Sequence, residues 1–104
     1  MLSPAHQQFL KTLGNPKRME LMLFLLKKPL TVTELVEKSA MEQSTVSHHL
    51  KRLRICQFVK STTNGKERIY SVNEETAGPL FRLMNTHVDK YCQRVCCSNK
   101  KRTS

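Results

Sequence analysis

No tryptophan occurs in this chain of 104 residues, glycines number only three, and acidic side chains are outnumbered by basic ones, 8 against 18. The longest apolar run, Leu21 to Leu26, falls far short of the ~20 residues a helix needs to cross a bilayer. No basic region leads into an apolar stretch with a cleavage site at the N-terminus, so a cytoplasmic protein with no membrane partner is expected. No phosphate-binding glycine loop, Ser/His/Asp set or pair of carboxylates can be assembled, which leaves catalysis the least expected role.

What is there suits a compact domain. The chain is 38% hydrophobic and 25% charged, the balance of a folded protein that needs no staple. One domain is expected over residues 1–97, followed by a basic, polar tail, 98–104, expected to be disordered. The net charge of +10 points to a polyanion as partner. Between Ser44 and Asn73 stand six cations (Lys51, Arg52, Arg54, Lys60, Lys66, Arg68) and one anion, Glu67, so half of the excess lies in less than a third of the chain. Nucleic acid is favoured over a membrane surface, because this charge has no Trp-bearing apolar face beside it.

The segment Glu42 to Arg54 organises the rest. Val46, Leu50 and Leu53 fall at i, i+4 and i+7, giving a three-turn helix one apolar face. Gln43, Ser44, Thr45, Ser47, His48, Lys51 and Arg52 are left for the other faces. Hydroxyl, amide and imidazole groups can bond base edges and phosphates, and the cations suit the sugar-phosphate backbone, so this helix is expected to enter a DNA major groove. An ordinary amphipathic surface helix has the same pattern, and the surrounding chain must decide between them.

That chain predicts a mainly α fold with a small β-hairpin. Ser3-Pro4 starts a helix that Gly14 ends, and Asn15-Pro16 starts a second, with Met19, Met22, Leu23 and Leu26 at helical spacing before Pro29. Leu30 to Val32 reads as extended, Thr33 as the cap of a short helix through Leu35 and Val36, and Ser39 to Glu42 as a turn, together a helix-turn-helix. Two β-prone stretches, Phe58 to Thr63 and Glu67 to Val72, flank Asn64-Gly65, a strong hairpin signal, and make a wing with Lys66 and Arg68 near its tip. A basic hairpin can equally be an edge kept charged against aggregation. A fifth helix near Gly78-Pro79 carries Leu80, Leu83, Met84, His87, Val88 and Tyr91 on one side, which implies a homodimer packed through this helix and the first. Cys56, between Ile55 and Gln57, reads as a small buried core residue.

Three segments, Leu13-Gly-Asn-Pro-Lys-Arg-Met19, Ser44-Thr-Val-Ser-His-His-Leu50 and Gly65-Lys-Glu-Arg-Ile-Tyr70, resemble the signature segments of the ArsR/SmtB winged-helix repressors, in order and over about residues 8–90. The resemblance implies a five-helix winged helix-turn-helix homodimer that represses transcription from a palindromic operator in double-stranded DNA. It also implies release by a metal or other inducer; no cofactor is required.

The effector sites seen in such repressors are altered here. One class carries two thiols where this chain has Thr31 and Thr33, within Pro29 to Leu35. Another binds zinc through four positions that match Glu74, Thr76, His87 and Lys90, and an ammonium at Lys90 would repel the ion. Cys92, Cys96 and Cys97 remain. Cys92 and Cys96 share a helix face about one turn apart, and three thiolates suit a soft ion such as As(III), Sb(III) or Cd(II). Three readings stay open: soft metal or metalloid inducer, thiol redox couple, or no sensing role. A repressor without inducer, or a winged helix that binds RNA or protein, are the alternatives.

Overall fold

The computed structural model describes residues 2–92, and the chain divides into two compact units, Met1–Asn73 and Glu74–Ser104. The first unit contains α1 (Pro4–Leu13), α2 (Pro16–Lys27), β1 (Leu30–Thr31), α3 (Val32–Ser39), α4 (Gln43–Ile55), β2 (Val59–Asn64) and β3 (Glu67–Val72). In the second, α5 (Ala77–His87) continues into a π-helical turn, Val88–Cys92. The described residues therefore form five α-helices and a small sheet. None of these helices is long and apolar enough to cross a membrane.

Local chemistry sets the helix starts. Ser3 Oγ accepts the His6 N–H at 3.2 Å and Asn15 Oδ1 accepts the Arg18 N–H at 3.0 Å, each with a proline at the first helical position. Thr31, not Thr33, caps α3: its hydroxyl accepts the Glu34 N–H at 3.2 Å while the Glu34 carboxylate accepts the Thr31 N–H at 2.9 Å. Glu34, three residues on, completes this reciprocal pair; Thr33 has Val36 at the corresponding place.

The sheet is three-stranded and antiparallel in the order β1-β3-β2, so the extended Leu30-Thr31 segment adds a third strand to the hairpin. Leu30 faces Tyr70 and Thr31 faces Ile69. Asn64 pairs with Glu67, and the turn is Gly65-Lys66, one residue later than Asn64-Gly65. Gly65 alone in this turn has positive φ, +69°, a backbone state glycine adopts without a Cβ penalty, and the shift places Lys66 within the tip itself.

Leu21, Met22, Leu25, Leu35, Val46, Leu50, Leu53, Val59 and Tyr70 build the core of the first unit where α2, α3, α4 and the sheet meet. The inner face of α2 is Arg18, Leu21, Met22 and Leu25, not the expected stripe of Met19, Met22, Leu23 and Leu26; Leu23 is 43% exposed. Because α2 is apolar from Leu21 to Leu26, contacts with α3, α4 and β3 choose the face rather than periodicity. Phe9 of α1 meets Phe58 edge-on with ring centroids 5.3 Å apart.

In the second unit, Ala77, Gly78 and Phe81 are buried, whereas Leu83 is 69% and Tyr91 63% exposed. The helix begins two residues before Pro79, which tolerates a first-turn position because the N–H it lacks would have had no intrahelical partner. Glu74 pairs with Arg82 across Gly78, where any Cβ would collide with both side chains.

Candidate nucleic-acid interface

α3, the turn and α4 make the helix-turn-helix. Ala40 closes α3 in the left-handed conformation (φ 61°), its N–H bonded to Val36 O at 2.9 Å, and the Met41 N–H donates to Ser39 Oγ at 3.2 Å. This fixed turn orients α4. Val46, His49, Leu50 and Leu53 are its buried residues. The opposite side presents Ser44, Ser47, His48 and Lys51, all exposed and spaced i, i+3, i+4, i+7, with Gln43 exposed at the start and Thr45 and Arg52 half-buried at the flanks. Glu42, the N-cap, makes no side-chain cap, so the first-turn amides of α4 have no side-chain acceptor there. In the wing, Thr62 to Arg68 are all exposed; Lys66 stands in the turn and Arg68 opposite Thr63. All nine residues expected to meet DNA thus lie in one unit, on α4 and on the hairpin.

Behind the exposed face of α4 lie two buried basic side chains that sequence reading missed, Arg18 of α2 and His49 of α4 itself. Arg18, only 8% exposed, donates from Nη1 to Thr12 O at 3.3 Å, and its Nε finds no partner. Burial, and then the neighbouring Arg52, lower its pKa. His49, 7% exposed, leaves Nδ1 without a partner; burial lowers its pKa first, and the charges of Arg18, His48 and Lys17 act in the same direction. A signal was present in the spacing, since position 49 shares the face of Val46, Leu50 and Leu53, and position 18 that of Leu21, Met22 and Leu25.

A pH dependence follows. Folded His49 resists a proton that the unfolded chain accepts below its ordinary pKa of ~6.5, so stability is complete above that value and falls as pH drops from there toward the lowered folded pKa. Urea midpoints should decrease between pH 7.5 and 5.5 (about two units, spanning that pKa), and His49→Asn should flatten the slope. An unchanged slope in the variant would show that His49 titrates alike in both states.

Cys92 ends the described chain, half-buried and free, whereas Cys96 and Cys97 and the 98–104 tail lie outside the described residues. Cys56 is also half-buried, less enclosed than a core residue, because it caps the C-terminal end of α4 at the edge of the unit. Among the described residues no cluster of three His, Cys, Asp or Glu could hold a metal ion. The Thr31 hydroxyl accepts a backbone N–H in the α3 cap, and the exposed Glu74 carboxylate pairs with Arg82.

Residues 15–61, from the cap of α2 into β2, match the model of the bacterial regulatory protein, arsR family. The chain is 35% identical over 92 residues to an arsenical resistance operon repressor of Staphylococcus xylosus, covering 88% of each protein. It belongs to the ArsR family. Another relative, a probable mercury resistance operon repressor of Streptomyces lividans, is 32% identical over 88% of this chain and 74% of its own. The fold matches the homodimeric winged helix-turn-helix DNA-binding domain of a Mycobacterium bovis protein with a TM-score of 0.80, over 86% of this chain and 83% of that one, at 21% identity. As an ArsR-family winged helix-turn-helix protein, the chain is a DNA-binding transcriptional regulator and not an enzyme.

Proposed function

We propose that this regulator is a homodimeric repressor that reads a palindromic operator with α4, anchors it with the wing, and is released by a soft metal or metalloid ion. The observation that carries operator reading is the exposed polar face of α4, set by four buried residues on its other side. Ser44, Ser47 and His48 would meet base edges; Gln43, Thr45, Lys51, Arg52, Lys66 and Arg68 would hold flanking phosphates and sugars. The uncapped amides at the start of α4 suit a phosphate as well.

Two exposed apolar surfaces support dimerisation: Leu2 and Leu10 at α1, and Leu83, Val88 and Tyr91 at α5 and its π turn. A second copy covering them would relate two α4 helices by a two-fold axis, and a palindrome is the sequence such a pair reads. A DNA partner is in keeping with a cytoplasmic location. The Mycobacterium bovis neighbour is itself homodimeric.

For the inducer, two relatives are named for arsenical and mercury resistance, and both ions are thiophilic. Cys92, Cys96 and Cys97 would supply the thiolates; arsenite, antimonite or cadmium fits this donor chemistry. We expect reduced protein to bind its operator and arsenite or cadmium to weaken that complex about 5- to 150-fold, a usual allosteric coupling. The C92S/C96S/C97S protein should keep its affinity with either ion. Release of that variant like the parent would remove the three cysteines from sensing.

A further inference from the structure

α4 ends on Ile55, which is 58% exposed. Among the described residues of this helix that are exposed, it alone is apolar; the others are Gln43, Ser44, Ser47, His48, Lys51 and Arg54. At about 3.6 residues per turn, the spacing from fully buried Val46 to Ile55 is about two and a half turns, so Ile55 points directly away from the core. Ser44, His48, Lys51 and Ile55 fall at i, i+4, i+7 and i+11, one stripe along the helix. His48, Lys51, Arg52 and Ile55 also line one surface groove of about 240 Å³. An imidazole, an ammonium and a guanidinium thus frame an aliphatic group on the face proposed to meet DNA. A scattered surface isoleucine needs no partner, but one framed in this way has a chemical counterpart in a duplex. The major groove offers one apolar group, the C5 methyl of thymine, while the phosphates beside it suit the cations.

We propose that Ile55 packs on a thymine C5 methyl in each operator half-site and so selects thymine at one base position, a contact that rests on operator reading by α4. Cytosine at that position has no methyl and presents an amino donor, which an aliphatic side chain cannot accept. Ile55 lies about 10 Å beyond His48 along the helix axis, at ~1.5 Å per residue. With α4 along the groove, the selected thymine therefore stands about three base pairs from the base that His48 meets, at ~3.4 Å per pair. The polar residues of α4 read hydrogen-bonding groups, and Ile55 adds the one feature of a base edge that they cannot read.

The test starts from the duplex that the full-length protein selects from a random library. Each thymine of the protected half-sites is replaced in turn by deoxyuridine, which removes the methyl and keeps every hydrogen-bonding group. At one position per half-site the parent should lose affinity about fourfold, and about 15-fold with both half-sites changed, the worth of burying one methyl and two. Ile55→Ala, truncated at an exposed position, should bind the thymine and uracil duplexes alike, and Ile55→Val should keep part of the preference. Both variants should keep the parent's salt slope, because no cation is removed. A parent indifferent to uracil at every position would overturn the proposal. So would a thymine preference of the same size in Ile55→Ala; if that variant also dissociated into monomers, Ile55 would belong to the contact between copies. Enrichment of no sequence at all would refute operator reading itself, and the selection of thymine would fall with it.

Discussion

Operator affinity should drop steeply with salt, by about 10³ to 10⁵ between roughly 50 and 200 mM if six to ten phosphates are contacted. Each chain carries +10, and Lys51, Arg52, Lys66 and Arg68 lie on α4 and the wing of one compact unit. Two such units on one duplex would neutralise many phosphates and release their condensed counterions. The entropy of that release shrinks as bulk salt rises, which makes the logarithm of affinity linear in the logarithm of salt concentration. Fluorescence anisotropy at four or five salt concentrations gives the slope directly. A flat line would mean that the basic surface does not hold phosphates.

Substitutions should separate into two classes. Ser47 and His48 are exposed on the outer side of α4, over buried Val46, Leu50 and Leu53, so truncating either removes a hydrogen-bonding group without opening the core. Ser47→Ala or His48→Ala should cost about 1–3 kcal/mol on the operator and much less on random duplex, because a base contact is lost only where the right base stands. Lys66→Ala and Arg68→Ala, at the wing tip, should weaken both duplexes alike and reduce the salt slope by about one each. Titrations of the four variants on both duplexes decide this. One common loss factor for all four would make α4 a non-specific anchor.

The readable parts of the fold were those where one local rule had no competitor. Val46, Leu50 and Leu53 define the inner face of α4 because the residues between them are mostly polar, and Ser3-Pro4 and Asn15-Pro16 mark helix starts through a cap and a missing N–H. Sequence and structure part where several local answers are equivalent. Thr31 and Thr33 can each cap, and only the position of Glu34 separates them. Asn64-Gly65 and Gly65-Lys66 can each turn a hairpin, and pairing of Asn64 with Glu67 decides for the second. Arg18 and His49 are polar, which favours the surface, yet their spacing puts both on inner helix faces and both are buried. The left-handed Ala40 and Gln57 have no glycine to announce them; the Ala40 N–H donates to Val36 O, and Gln57 donates its N–H to Arg54 O and accepts from the Asn73 amide.

The central claim is that two copies read one inverted sequence, and selection of bound duplexes from a random library, followed by footprinting of the winner, tests it most directly. The account predicts a two-fold symmetric sequence with protected half-sites centred about one helical turn, ~34 Å, apart. A bound pool without enrichment, or a protected site without inverted symmetry, would contradict it.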